Sequence, residues 1–382
     1  MTGKNHPVTV THHNNYEELW VSNPTRFNAL SQAILYEVIA FLKKTTRPVV
    51  LRMSPVKGTQ STGFSLPEFM KRETLMEINN GEDPLGPSHP FVVFSRLVEE
   101  RVVVSVVEGA VIGGGVEAFL NAAKPIVLNQ DVSLCLPPLR VVGLPYPTEG
   151  IARLLRTIPA DLLLQMMVTG EVVNHDELMK AGVLGLVEDD IHTAIQGALH
   201  TSLSKVDTDL KLIEREKLDT AIAKWDRSGL ILYPSAWVAL QLQLRALHEY
   251  GSQEKIPTDV MSEIERQRLQ ASGAGLVASV LAQNMWVTKD PEARREILQR
   301  AASVAGPELY GRVETIITNR MRLASGHDKR GQAILNLVRM YNRNPRRPSR
   351  LPPKCALGVA AAATLGSAGL ALWSFSDSDK SP

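Results

Sequence analysis

The spacing of hydrophobic and polar positions changes near residue 200. Before that point, short apolar runs alternate with amphipathic stretches, which predicts alternating strands and helices and therefore a layered α/β fold over residues 8–200. The predicted strands are residues 18–22, 48–53, 102–107 and 125–128, and the predicted helices are residues 31–44, 114–123, 151–155 and 160–168.

Beyond residue 200 the apolar positions recur at helical spacing and the strand signals stop. The pattern predicts a helical domain over residues 205–342. The predicted helices are residues 210–226, 235–250, 259–269, 292–302, 307–323 and 332–341. Glycines between these segments are expected to end helices, and they are Gly229, Gly251, Gly273, Gly306 and Gly326.

The C-terminus differs in composition from the rest of the chain. Residues 343–354 carry five basic residues and four prolines, which predicts a linker, and residues 355–375 carry no charge. An uncharged helix of about 20 residues can span a bilayer, and a basic flank stays on the cytosolic side. The layout is typical of a membrane tail anchor; an Ala-rich packed or disordered tail is the alternative. A short, moderately apolar anchor favours the mitochondrial outer membrane.

Composition limits the function classes. A chain of 382 residues can hold two domains, and its 44% apolar and 21% charged residues are ordinary for a globular protein. The net charge of +2 gives no reason to expect a nucleic-acid partner. Cys135 and Cys355 form neither a disulfide framework nor a metal-ligand spacing, so a reducing compartment is expected. No metal site is expected, because the His12–His13 pair has no partner one helical turn away.

Three consecutive glycines, Gly113–Gly115, stand between a predicted strand and a predicted helix. The start of a helix exposes N–H groups and a partial positive charge, which can hold the oxygen of a polarised carbonyl. The alternative is that the glycines only permit close packing. Neither a phosphate-binding loop nor a dinucleotide fingerprint is present.

Four segments in order resemble the motifs of the crotonase (enoyl-CoA hydratase/isomerase) superfamily. They read SNPTRFNALS over residues 22–31, KGTQSTGFSL over 57–66, EGAVIGGGVE over 108–117 and VTGEVVNHDELMKAGV over 168–183. Gln60 stands where the family usually has Phe, and Ser65 where it usually has Asp. The resemblance implies a crotonase-like spiral of ββα units, here followed by an α-helical region and a C-terminal apolar helix. It also implies a homo-oligomer.

The resemblance implies an acyl-CoA thioester as ligand, with coenzyme A as part of the substrate and no separate cofactor. The backbone amides of Phe64 and Gly114 would form the oxyanion hole, with Gly63 and Gly113 beside them as substrate-binding residues. Arg26 falls in the loop that usually lies near the CoA nucleotide, so it is a candidate phosphate contact or a solvated loop residue.

Glu117 takes the position of the first of two glutamates with which hydratases move protons, which makes it the third catalytic candidate after Phe64 and Gly114. The second glutamate is missing, because Leu139 or Pro138 stands at its position. The helical stretch, with residues 233–244, resembles the 3-hydroxyisobutyryl-CoA hydrolase branch. At that branch's Asp position the chain has Pro147 or Thr148, with Glu149 the nearest carboxylate, and Glu117 stands where the branch usually has Gly.

These residues leave three functions open. The first is an acyl-CoA-binding protein resembling 3-hydroxyisobutyryl-CoA hydrolase, with the oxyanion hole retained and the acid–base residues incomplete. The second is an enoyl-CoA hydratase/isomerase that uses Glu117. The third is a catalytically inactive structural or scaffold protein of a mitochondrial assembly, a role with precedent in the hydrolase-like branch.

Overall fold

The computed structural model describes residues 6–65, 88–120, 125–203, 210, 214–231, 233–305, 308–323 and 329–343. The predicted apolar tail at residues 355–375 and nearly all of the predicted linker lie outside these ranges. Within them, no helix combines the length and apolar character needed to cross a membrane.

The first sheet has five strands in the order β1-β2-β3-β5-β7. Their bounds are Val8–His12 (β1), Glu17–Val21 (β2), Val49–Arg52 (β3), Val103–Val107 (β5) and Ile126–Val127 (β7). β1 and β2 pair antiparallel, and the other pairs are parallel. β5 is buried over its whole length, as expected for a near-continuous apolar run in a parallel sheet. The predicted strands are confirmed to within a residue or two.

The second sheet is made of very short strands in the order β4-β6-β8-β9. Their bounds are Thr59–Ser61 (β4), Ala110–Ile112 (β6), Ser133–Cys135 (β8) and Val173–Asn174 (β9). The chain passes from the first sheet to the second three times, from β3 to β4, β5 to β6 and β7 to β8. β5–β6 and β7–β8 each lead into a helix. These strand–strand–helix units confirm the expected α/β spiral.

Ten described helices belong to the α/β part and the start of the helical region. They are Gln32–Lys44 (α1), Pro90–Glu100 (α2), Gly114–Leu120 (α3), Pro138–Val142 (α4), Thr148–Thr157 (α5), Ala160–Thr169 (α6), His175–Lys180 (α7), Ile191–Leu203 (α8), Arg215–Arg227 (α9) and Pro234–Tyr250 (α10). The predicted helix over 151–155 is therefore part of a longer one. Single-turn 3₁₀ helices occur at Pro24–Arg26 and Gln253–Lys255.

The last four described helices are Thr258–Val287 (α11), Pro291–Ala305 (α12), Glu308–Leu323 (α13) and Lys329–Arg343 (α14). The predicted helix end at Gly273 is wrong, because α11 continues through it. A glycine inside a helix costs about 1 kcal/mol relative to alanine. Burial of the neighbouring Ala271 and Ser272 offsets such a cost. Gly251 does end α10, in the left-handed conformation. Gly306 and Gly326 lie outside the described residues.

Two large clusters of buried apolar side chains support this architecture. The first contains residues of both sheets and continues through α9 and α10 to Ala271 in α11. The second is formed by the later part of α11 together with α12, α13 and α14. The first half of the helical region therefore shares its core with the α/β part, which places α10 and α11 against the segment that enters the candidate site.

Candidate functional site

The loop that carries Phe64 is fixed by the segment before α1. The Leu30 amide donates to the Gly63 carbonyl at 2.8 Å, and the Ser65 amide donates to the Leu30 carbonyl at 3.1 Å. The buried Asn28 side chain donates to the carbonyls of Ser54 at 2.8 Å and Gln60 at 2.9 Å. The family-like segments at residues 22–31 and 57–66 are therefore hydrogen-bonded to each other, which holds the Phe64 backbone in place.

Gly63 brings this loop directly onto the start of α3. Its φ is +75°, and a Cβ built on it would lie 2.6 Å from the amide nitrogen of Gly114 and 2.7 Å from that of Gly115. No other residue fits both the left-handed backbone and this approach. The predicted partners Phe64 and Gly114, from separate loops, are therefore neighbours in space, and both are partly exposed.

The glycines of the second loop have different roles. The buried Gly113 donates its amide to the Cys135 carbonyl at 2.8 Å, which ties the loop to β8. The Gly114 amide makes no hydrogen bond to another described residue. A helix-start amide that is partly exposed can donate a hydrogen bond to the oxygen of a ligand.

Gln60 explains one departure from the family motif. Its fully buried side chain donates to the Val106 carbonyl at 2.6 Å and accepts from the amides of Glu108 at 2.7 Å and Gly109 at 3.3 Å. These backbone groups lie where β5 ends and the chain crosses to β6. The amide side chain of Gln60 therefore supplies hydrogen bonds to the backbone groups of the segment that leads to the glycines. A phenyl ring cannot form these hydrogen bonds.

Aromatic side chains form a wall beside the two loops. The ring centroid of Phe64 lies 5.0 Å from that of His89 and 6.1 Å from that of Phe91. A Cβ on Gly114 would lie 2.8 Å from Cζ of Phe91, so this ring touches the glycine. His89 Nδ1 accepts the Phe91 amide at 3.2 Å and caps α2. The sequence reasoning missed both residues, although a polar residue before Pro90 is a helix-start signal.

Glu117 lies one turn beyond Gly114 and is engaged in a buried ion pair. Its Oε1 accepts from Arg153 Nη1 at 2.8 Å, and both side chains are 2% exposed. Burial raises the pKa of Glu117, while the charge and hydrogen bond of Arg153, and a hydrogen bond from Ser95, act to lower it. The structure therefore brings Glu117 near the Gly114 loop but pairs its carboxylate with an arginine that the sequence reasoning missed.

Arg153 is shared by several carboxylates. Its Nε donates to Glu99 at 3.0 Å, and its Nη2 contacts Glu149. Arg96 also binds Glu149, with an Nε–Oε1 distance of 3.3 Å. Burial raises the pKa of Glu149, but the hydrogen bond from Arg96 and the charge of Arg153 outweigh it, and the pKa is lowered overall. The carboxylate nearest to the hydrolase Asp position is therefore held as an anion between two guanidinium groups.

Tyr146 is a second residue that the sequence reasoning missed. Its side chain is 7% exposed, and its hydroxyl has no hydrogen-bond partner among the described residues. Its pKa is raised well above the usual value, first by burial and then by the charges of Glu117 and Cys135. Gln243 of α10 donates to the Tyr146 carbonyl at 2.8 Å. The helical region therefore fixes the backbone of a tyrosine that faces the Glu117 region.

The positions of the missing acids hold other chemistry. Leu139 is buried in the core, and Pro138 lies near Gly113, with its Cγ 3.9 Å from a Cβ built there. Pro147 precedes the first residue of α5, and the Thr148 hydroxyl donates to Glu265 at 3.1 Å. These four residues carry no carboxylate, and the gap in the acid–base machinery stays a prediction.

Arg26 lies on the exposed 3₁₀ turn beside the Phe64 loop, where its carbonyl is 3.4 Å from the Thr62 hydroxyl. Its role as a phosphate contact stays a prediction. Across the described part of the chain, no group of three or more His, Cys, Asp and Glu side chains is arranged to hold a metal ion.

Comparison with known proteins gives a family match for the α/β part. Residues 13–193 match the family described as enoyl-CoA hydratase/isomerase. A methylmalonyl-CoA decarboxylase complexed with 2S-carboxypropyl CoA is 19% identical, with 72% of this chain and 95% of that chain covered and a TM-score of 0.50. A putative enoyl-CoA hydratase/isomerase from Acinetobacter baumannii is 16% identical, with 70% and 97% covered and a TM-score of 0.45.

Over residues 13–193, the α/β part of the chain is similar to the enoyl-CoA hydratase/isomerase family. This match agrees with the superfamily predicted from the four motifs. At these low sequence identities, the solved structures show a likeness of fold alone. The resemblance to the hydrolase branch stays a prediction.

Proposed function

We propose that this chain binds a coenzyme A thioester whose carbonyl oxygen accepts hydrogen bonds from the amides of Phe64 and Gly114. The observation that carries the proposal is the close approach of Gly63 to the Gly114 and Gly115 amides, because it brings the two loops that carry the proposed donors together. An oxyanion donor of this kind is worth about 3 kcal/mol of barrier in enzymes that use one. Arg26, on the exposed turn beside the Phe64 loop, is the proposed contact for the CoA phosphates.

The site favours holding a thioester over adding water to it. Proton transfer needs a group within hydrogen-bond reach of the reacting atom. Glu117 is paired with Arg153, and Leu139 and Pro138 cannot exchange protons. We infer that the protein binds acyl-CoA and resembles 3-hydroxyisobutyryl-CoA hydrolase in its helical extension. Gln243 of that extension donates to the Tyr146 carbonyl before α5, so the extension contacts the α/β part. A catalytically inactive scaffold of a mitochondrial assembly is consistent with the same ion pair.

One observation favours the alternative of an enoyl-CoA hydratase/isomerase that uses Glu117. Burial raises the pKa of this carboxyl, which is the direction that a general acid needs. It also lies one helical turn from Gly114. For this chemistry Glu117 must release Arg153, which still has Glu99 and Glu149 as partners.

Titration calorimetry with acetyl-CoA tests binding. Gly63→Ala places a methyl group against the two amides and should weaken binding by on the order of tenfold, the loss of one or two hydrogen bonds. Gly182→Ala is the matched control, because Gly182 has a similar φ of +68° but nothing within 4 Å of a built Cβ. Equal affinities of the two variants, or no binding by the unaltered protein, contradict the proposal. Crotonyl-CoA turnover that Glu117→Gln abolishes selects the hydratase/isomerase alternative.

We propose further that the apolar segment at residues 355–375 anchors the protein in a membrane. The short length of this segment and its basic flank favour the mitochondrial outer membrane. Carbonate extraction of membranes from cells that express the full chain, or the chain without residues 355–375, tests this. The full chain should stay with the membrane and the truncated chain should be released. Release of both contradicts the anchor.

A further inference from the structure

Helix α2 covers the face of α3 that would meet the acyl group. Phe91 contacts Gly114. Ser95, one turn later, lies near the carboxylate of Glu117 and acts to lower its pKa, and Glu117 lies one turn after Gly114. The two helices therefore lie side by side and run in the same sense at this contact. One turn further on, Glu99 binds Arg153. The side chains of α2 occupy the space directly in front of the two candidate catalytic positions of α3.

The Phe91 ring separates the exposed from the buried part of this face. Gly114 is partly exposed, whereas Phe91 and Glu117 are 4% and 2% exposed. The Cζ and Cε2 atoms of Phe91 would lie 2.8 and 3.0 Å from a Cβ on Gly114, so no methylene group fits between ring and helix. The Phe64 ring, centred 6.1 Å from that of Phe91, stands on the other loop of the site.

A thioester whose oxygen lies at the Gly114 amide has its acyl carbons within a few ångströms of that glycine. Carbon atoms approach each other to about 3.5–4.0 Å at best, so every further carbon of the chain must find its own space. The path along α3 from Gly114 towards Glu117 is occupied by Phe91 and Ser95 of α2. A long acyl chain cannot take this path unless Phe91 moves.

We propose that Phe91 is the floor of the acyl pocket and restricts the ligand to CoA thioesters with a short acyl group. This inference rests on the proposed thioester binding and names its substrate class. Phe91 acts by contact with the acyl group and takes part in no proton transfer.

The test measures dissociation constants for acetyl-, butyryl-, hexanoyl- and octanoyl-CoA by titration calorimetry. The unaltered protein should lose affinity as the chain lengthens. Phe91→Ala should gain affinity for hexanoyl-CoA by about tenfold, the effect expected from burying two more methylene groups. Phe94→Ala is the matched control, because Phe94 is also a buried phenylalanine of α2, whereas the three atoms nearest to a Cβ on Gly114 all belong to Phe91. Its chain-length profile should parallel that of the unaltered protein.

Phe91→Leu provides a milder change that keeps the proposal testable if the alanine variant does not fold, as judged by circular dichroism. It should shift the preference in the same direction by a smaller factor. Binding with the same chain-length profile in all variants overturns the role of Phe91 and leaves thioester binding intact. Absence of binding for every thioester, in every variant and in the unaltered protein, overturns the proposed function itself and this inference with it.

Discussion

Replacement of Arg153 by methionine tests whether Glu117 is held as part of a buried ion pair. Methionine keeps the apolar stem and removes the guanidinium that donates to Glu117 at 2.8 Å. Removal of one partner of a buried pair leaves an uncompensated charge and costs about 3–5 kcal/mol of unfolding free energy. Both side chains are 2% exposed, so solvent offers little compensation.

The cost should depend on pH in a defined direction. Burial already raises the pKa of Glu117, and loss of the Arg153 charge, which acts to lower it, raises it further. A carboxyl whose pKa is higher in the folded than in the unfolded state contributes stability below its unfolded pKa, about 4.3, and loses it as pH rises through the folded value. The Arg153→Met variant should therefore be most destabilised at neutral pH and approach the unaltered protein as pH falls towards 5.

Urea unfolding followed by circular dichroism at pH 5 and pH 7.5 measures this. Glu117→Gln removes the buried carboxylate and leaves Arg153 its partners Glu99 and Glu149, so it should cost less than Arg153→Met. The double variant should be more stable than Arg153→Met at pH 7.5 and depend less on pH. The reasoning is refuted if the losses of unfolding free energy in the two single variants simply add in the double variant. It is also refuted if the loss in Arg153→Met does not change with pH.

Two other substitutions address the frame of the site. Gln60→Leu should lower the unfolding free energy by about 3 kcal/mol, because it leaves the buried Val106 carbonyl and the amide of Glu108 without a partner. A loss below about 0.5 kcal/mol in urea unfolding would contradict the role of Gln60 in hydrogen-bonding this backbone. Tyr146→Phe should change stability by no more than about 0.5 kcal/mol in the same assay, because its hydroxyl has no partner among the described residues. A loss of 2 kcal/mol or more would indicate a hydrogen bond of typical strength to that hydroxyl.

The long apolar runs of the first sheet and the amphipathic helices could be predicted because their periodicity extends over many residues. β4, β6, β8 and β9 have only two or three residues each, too few for an alternation to stand out. The antiparallel β1 was missed as well, since most of its side chains are exposed.

Within the site, the two glycine loops could be predicted from their motifs, because a close backbone approach demands glycine whatever surrounds it. The partners of those loops could not. Arg153 lies in a helix whose sequence resembles any amphipathic stretch, and it reaches Glu117 only through tertiary packing. Phe91 and Tyr146 likewise owe their positions to the packing of α2 and α10. A single sequence carries no periodic signal for such contacts.

The central claim is that the amides of Phe64 and Gly114 bind the thioester oxygen, and the most direct measurement is the NMR response of those two amides. Protein labelled with ¹⁵N-phenylalanine and ¹⁵N-glycine is titrated with acetyl-CoA and with the thioether analogue that lacks the carbonyl oxygen. We expect both amide signals to shift downfield with acetyl-CoA and to shift clearly less with the thioether. Equal shifts with both ligands, or saturation by acetyl-CoA without a shift at either amide, would contradict the account.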